Sequence, residues 1–98
     1  MRFWFKNKKL EALYTEEKGA HKYSPGVVDA FFEVMSNISG AEDERDLRNL
    51  KALRYKKLRG DRKRQRSMHL NDQFCLIVER GEDDQGKYLL IIGIEDYH

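Results

Sequence analysis

Residues 65–95, QRSMHLNDQFCLIVERGEDDQGKYLLIIGIE, carry the pattern that decides the fold. From Leu53 onward apolar side chains recur with the period of a strand. Turn residues interrupt them at Gly60-Asp61, Asn71-Asp72 and 81–86. Three or four antiparallel strands are implied. Residues 65–70 and 73–79 flank Asn71-Asp72, which suits a two-residue hairpin. Residues 87–95 form the last strand, and the unbroken apolar run at 89–92 makes it central. Alternate side chains of a strand share a face, so Met68 and Leu70 are expected inward and Gln65, Ser67 and His69 outward. Phe74, Leu76 and Val78 lie on one side of the following strand, Cys75, Ile77 and Glu79 on the other.

Upstream the period is helical. Arg2, Phe3, Trp4 and Phe5 read as a short strand, and Asn7 caps a helix with Leu10, Leu13 and Tyr14 on one face that ends near Gly19. A second helix opens at Ser24-Pro25, where serine can cap free amides and proline suits the first helical position. Its stripe of Val27, Val28, Phe31, Phe32, Met35 and Ile38 runs to Gly40. A helix that covers a small sheet needs such a stripe for core packing, which is the simpler reading than a partner-binding or membrane-surface helix. Residues 41–50 are acidic and then mixed, a short helical turn. The expected fold is α+β: two N-terminal helices packed on one face of a small antiparallel sheet, with the other face partly open.

The chain has 98 residues, 40% of them hydrophobic, enough for one domain spanning 1–98 with a modest core. Its longest apolar run, at 88–92 and on to Ile94, is far short of the roughly 20 residues that cross a bilayer. No apolar run of signal-peptide length opens the sequence, so the expected location is the cytoplasm and no membrane partner is expected. The lone Cys75 allows no internal disulfide and fits a reducing compartment. His21, His69 and His98 have no zinc-ligand spacing, and neither a metal nor another cofactor is expected.

The formal charge of +2 hides a separation of signs. Residues 51–66 hold nine basic residues (Lys51, Arg54, Lys56, Lys57, Arg59, Arg62, Lys63, Arg64, Arg66) and one acid, Asp61, a net of +8. The remainder of the chain is −6. Crowded cations repel one another unless an anionic partner meets them, so this segment points to a polyanion, RNA above all. RNA can be cut without metal when a ribose 2′-hydroxyl attacks the adjacent phosphate. The protein must then supply a base, an acid for the leaving 5′-oxygen, and cations for the charge growing on phosphorus. Arginines and lysines are plentiful, and His98, His69 and Tyr97 are the candidate proton carriers. His98 also bears the terminal carboxylate of this sequence, which is expected to favour its protonated form.

The run Leu58-Arg59-Gly60-Asp61-Arg62-Lys63, then Ser67, then Asn71-Asp72-Gln73-Phe74, and the closing Asp96-Tyr97-His98 resemble the HigB branch of the RelE-like toxins. The aromatic strand and lysine-rich helix near the N-terminus are similar to that family too. The resemblance implies the RelE-like microbial RNase fold and the toxin of a type II toxin–antitoxin pair, an mRNA endoribonuclease (mRNA interferase) that cuts on the ribosome and inhibits translation. It implies a HigA-like helix-turn-helix antitoxin as partner, with operator DNA met only through that antitoxin. Arg59 takes the place of the family's lysine after leucine, a cation on the scissile phosphate. His98 and Tyr97 match residues tied to proton transfer and RNA positioning, with Asp96 as orienting partner. Lys56, Arg66 and His69 complete the expected catalytic set, and Lys57, Arg62, Lys63 and Arg64 the RNA-binding one.

Two positions depart from the family pattern: Lys56 stands where a histidine is common, and Cys75 where an arginine is usual. A thiol cannot stabilise phosphate charge, and loss of one such donor costs on the order of 10²–10³ in rate. The expectation is that Arg66 or Arg64, near the start of the neighbouring strand, reaches the same phosphate. A small buried side chain is the expected state of Cys75. Two other functions stay open at this point: a catalytically weakened RNA- or ribosome-binding module of the same fold, and a ParE-type gyrase-directed toxin. The terminal Asp-Tyr-His weighs against the latter.

Overall fold

The computed structural model describes residues 1–97, and within it five strands form one sheet in the order β1-β5-β4-β3-β2. The strands are β1 (Arg2–Phe5), β2 (Lys56–Lys57), β3 (Gln65–His69), β4 (Phe74–Asp83) and β5 (Gly86–Asp96). The helices are α1 (Lys8–Glu16), α2 (Pro25–Gly40) and a short α3 (Glu44–Asn49). The α+β class holds. The sheet is mixed, however: β2 to β5 pair antiparallel, whereas β1 joins the outer edge of β5 in parallel, Phe3 beside Leu89 and Phe5 beside Ile91. A parallel partner requires a crossover, and α1, α2 and α3 all lie between β1 and the antiparallel strands in the chain.

Local signals explain the helices. The Asn7 Oδ1 atom accepts from the amides of Lys9 and Leu10 at 3.0 and 3.1 Å, satisfying two free donors at the start of α1. Ser24 occupies the cap of α2, but its hydroxyl makes no capping bond, contrary to expectation. Its carbonyl instead takes the amides of Val27 and Val28, and Pro25 removes a donor that would otherwise need a partner. Buried Leu10 and Leu13 from α1 and Val27, Phe31, Met35 and Ile38 from α2 meet Met68, Leu76, Val78, Leu89 and Ile91 of the sheet in one core. An aromatic cluster closes the β1 end: Tyr14 stands edge-on to Phe3 and Phe31 and stacks on Phe32, with centroids 5.8–6.5 Å apart.

The β3–β4 connection departs from the expected two-residue hairpin. Four residues separate the strands, and Asn71 organises them through its side chain, whose Oδ1 accepts from the amides of Gln73 and Phe74. An Asx turn of this kind needs no positive φ, which explains why Asn-Asp serves where a tight hairpin would favour Asn-Gly. A shift of register between Ile77 and Val78 leaves Ile92 unpaired as a bulge in β5, so Ile91 and Ile94 both turn toward the helices. None of the described helices is long and apolar enough to cross a membrane.

Gly81 of β4 faces Tyr88 of β5, and a Cβ at position 81 would overlap the tyrosine ring. Gly81→Ala is therefore expected to destabilise the protein by about 1–3 kcal/mol, measured by urea unfolding. A stability equal to that of the original chain would show that Tyr88 swings aside freely.

Candidate active site

Cross-strand partners share a face, so the ladder assigns a side to each candidate residue. Lys56 pairs with Ser67, Ser67 with Ile77, and His69 with Cys75, which pairs in turn with Glu95. This is the face away from the helices. Lys57 pairs with Arg66, and Arg66 with the core residue Val78. That places Lys57 and Arg66 on the helix side.

On the face away from the helices, the Tyr97 hydroxyl lies 3.2 Å from His69 Nδ1, and the two rings tilt toward each other with centroids 6.0 Å apart. The backbone amide of Tyr97 donates to the Gln73 carbonyl at 2.8 Å, and Gln73 Nε2 donates to an Asp96 carboxylate oxygen at 3.1 Å, so the Asn71 loop holds residues 96 and 97 in place. Burial, together with Cys75, pushes the Tyr97 phenol up, while Arg54 pulls it down. The phenol stays neutral at physiological pH. Arg54 adopts a left-handed conformation, φ 46°, that ends the 3-10 turn Lys51–Leu53 and leads the chain into β2.

Arg62 reaches over the same face from the 3-10 turn Gly60–Arg62. Its Nε donates to Gln65 Oε1 at 2.8 Å and its Nη2 to Glu95 Oε2 at 2.7 Å, so the guanidinium bridges β3 and β5 and crosses the strand between them. Ile77 and Cys75 beneath are 1% and 5% exposed. Burial raises the Cys75 thiol above its usual range, Glu95 adds to the rise, and Arg62 and Lys56 oppose it. Cys75 is thus a small buried neutral group, as expected. Among the described residues no group of three or more His, Cys, Asp or Glu side chains is arranged to hold a metal ion.

The expected set is therefore divided. Lys56, Arg62, His69 and Tyr97 come together, with Asp96 held at the margin by Gln73. Arg59 is exposed in the turn between β2 and β3. Arg66 is not with them: it follows the two-residue period to the helix side, where it donates to the carbonyls of Lys63 and Gln65. Arg64 has the same parity as Arg66 and shares its side, so neither compensates for the missing arginine at position 75. Lys63 joins them around a groove on that side. His98 lies outside the described residues. Sequence reasoning missed Arg54, Gln65, Gln73 and Glu95 as parts of this site. Glu95 was within reach, because it shares its parity with Tyr97; Arg54 belongs to the basic run, but nothing local sets it apart from the other cations there.

The sequence model of a family described as HigB-like toxin, the RelE-like toxin of a type II toxin–antitoxin system, matches residues 3–91. The chain belongs to this family. No curated protein matches its sequence at a significant level. Among solved structures, the HigB-like chain is similar to a YoeB/ParE toxin from Agrobacterium tumefaciens, with a TM-score of 0.58, 10% identity and 100% of both chains covered. It is similar to YafQ from E. coli strain BL21(DE3), with a TM-score of 0.59 and 14% identity over 99% of this chain and 94% of that one. A conserved hypothetical protein, HP0894 from Helicobacter pylori, aligns with a TM-score of 0.52 at 15% identity, covering 99% of this chain and 94% of that one. At these identities the structures support the fold alone. Membership of the HigB-like family implies an antitoxin partner and an RNA substrate.

The buried, up-shifted Cys75 thiol should react with a disulfide reagent at pH 8 far more slowly in the native HigB-like chain than in urea. Equal rates would mean that the Arg62 bridge is open in solution.

Proposed function

We propose that this HigB-like chain is a ribosome-dependent mRNA endoribonuclease that cuts without a metal of its own, and that the face away from the helices is where it cuts. The observation that carries this reading is the convergence of two cations, Lys56 and Arg62, with the hydrogen-bonded His69–Tyr97 pair on one sheet face. The ribose 2′-oxygen attacks phosphorus and the bond to the 5′-oxygen breaks, leaving a 2′,3′-cyclic phosphate and a free 5′-hydroxyl. His69 accepts the 2′-hydroxyl proton at Nε2, in the tautomer whose Nδ1–H donates to the Tyr97 hydroxyl oxygen and so holds the ring. Imidazole suits that task near neutral pH. Lys56, Arg62 and Arg59 carry the charge that builds on the phosphate. His98, one residue beyond Tyr97, supplies the proton to the leaving oxygen, a role that rests on the family resemblance alone. In the cell the protein works in the cytoplasm, where ribosomes are, and a HigA-like helix-turn-helix antitoxin neutralises it and carries the pair to operator DNA.

Primer extension on programmed ribosomes tests the proposal. His69→Ala and Arg62→Ala are each expected to lower cleavage by about 10²-fold or more, in line with loss of a proton carrier or a phosphate cation, while the fold remains. Tyr97→Phe should give a smaller loss. Cleavage should be indifferent to chelators of transition metals. Full cleavage by His69→Ala, or a strict need for an added metal, would overturn the mechanism.

A further inference from the structure

The helices cover only part of their side of the sheet. Beyond Met68, Val78 and Leu89, the same parity continues through Arg66 on β3 and Arg64 just before it, Arg80 on β4 and Lys87 on β5, with Lys57 on β2 beside Arg66. Together with Lys63 these side chains line a groove of about 480 Å³ on the helix side, bounded by Glu44 and Glu82. Six cations thus face two acids. Glu44 is already engaged: it is 6% exposed, accepts from Arg80 Nε at 2.8 Å and from the Tyr55 hydroxyl at 2.6 Å, and so has little left for the others. Burial and this carboxylate push the Tyr55 phenol well above its usual range. Among the described residues Lys57, Lys63 and Lys87 have no ion-pair partner, and Arg64 and Arg66 bond only to backbone carbonyls.

We infer that this groove is a second RNA-backbone site, separate from the face proposed to cut. Five cations held side by side without carboxylate partners repel one another in the free protein, and phosphates relieve that repulsion. The carbonyls of Lys63 and Gln65 fix Arg66 in advance, at 2.8 and 3.0 Å, which lowers the entropy lost on binding. Lys56 and Lys57 are adjacent but face opposite sides, so the β2 edge presents cations to RNA on both of its faces. The groove contacts sugar-phosphate and reads no base, so it grips structured or single-stranded RNA regardless of sequence. The ligand class rests on the RNA reading above; the cutting chemistry does not enter.

The test measures binding of a fluorescein-labelled single-stranded RNA oligonucleotide by anisotropy across a salt series. The double variant Lys63→Glu/Arg64→Glu changes exposed side chains. It should weaken binding at least about ten-fold near 0.1 M salt and reduce the log–log salt slope by about 1.4, because two fewer phosphates are neutralised. A control with the same change in net charge, Lys8→Glu/Lys18→Glu on and just after α1, should lose much less. Amide shifts on adding RNA should include residues 80–87 of the β4–β5 hairpin, an observation that holds even if the double variant fails to fold. Equal losses in variant and control, an unchanged salt slope, or shifts confined to Lys56, His69 and Tyr97 would overturn the second site. So would a double variant that binds RNA normally but loses its antitoxin. A chain that binds RNA through the groove and cuts nothing would contradict the proposed nuclease and leave this inference standing.

Discussion

Neighbouring strands lock their side chains into two alternating sets, and a slip of one residue would exchange every member of one set for the other. In this protein the lock is the pairing of Lys56 with Ser67 and of Met68 with Leu76. Met68, Leu76 and Val78 meet the helices, whose buried stripe of Leu10, Leu13, Phe31, Met35 and Ile38 is the apolar surface that covers them. Once they do, Lys56, His69 and Cys75 are committed to the opposite face and Lys57, Arg64 and Arg66 to the helix side. The distribution of charge is thus a by-product of core burial.

The remaining elements keep that register in place. The aromatic cluster of Phe3, Phe5, Tyr14, Phe31 and Phe32 joins β1 to both long helices. The Glu44–Arg80–Tyr55 network ties α3 and the approach to β2 onto β4. A carboxylate as buried as Glu44 is tolerable only because both of its oxygens accept hydrogen bonds. At the other end, the Asn71 turn grips the main chain at residue 97 through Gln73 and so places the Tyr97 hydroxyl against His69. Rigid scaffold and chemical groups are therefore linked by very few bonds.

Much of this was legible beforehand. The cap at Asn7, the helix start at Pro25 and the two-residue period of β3 to β5 follow from side-chain chemistry within a few residues, and the structure carries them, although the Ser24 hydroxyl makes no capping bond. What sequence could not reveal depends on contacts between distant segments. The parallel docking of β1 on β5 is one case, since four residues carry no sign of their partner's direction. The basic run is another. Its strand residues alternate between the two faces, and Arg66, expected in the catalytic set, went to the helix side although the period that sends it there was visible in Met68 and Leu70. Arg62 as a bridge to Glu95, 33 residues away, was beyond any local pattern.

Adjacent Lys56 and Lys57 give the most direct measurement, because they share charge, length and exposure and differ in the face they occupy. Single-turnover cleavage of mRNA on programmed ribosomes, followed over a range of ribosome concentration, separates their effects. If the face bearing His69 and Tyr97 is where RNA is cut, Lys56→Ala lowers the rate at saturation, while Lys57→Ala chiefly raises the concentration needed to reach half of that rate. Loss of the saturated rate in Lys57→Ala, with Lys56→Ala cutting as the original chain does, would place the chemistry on the helix side and contradict it.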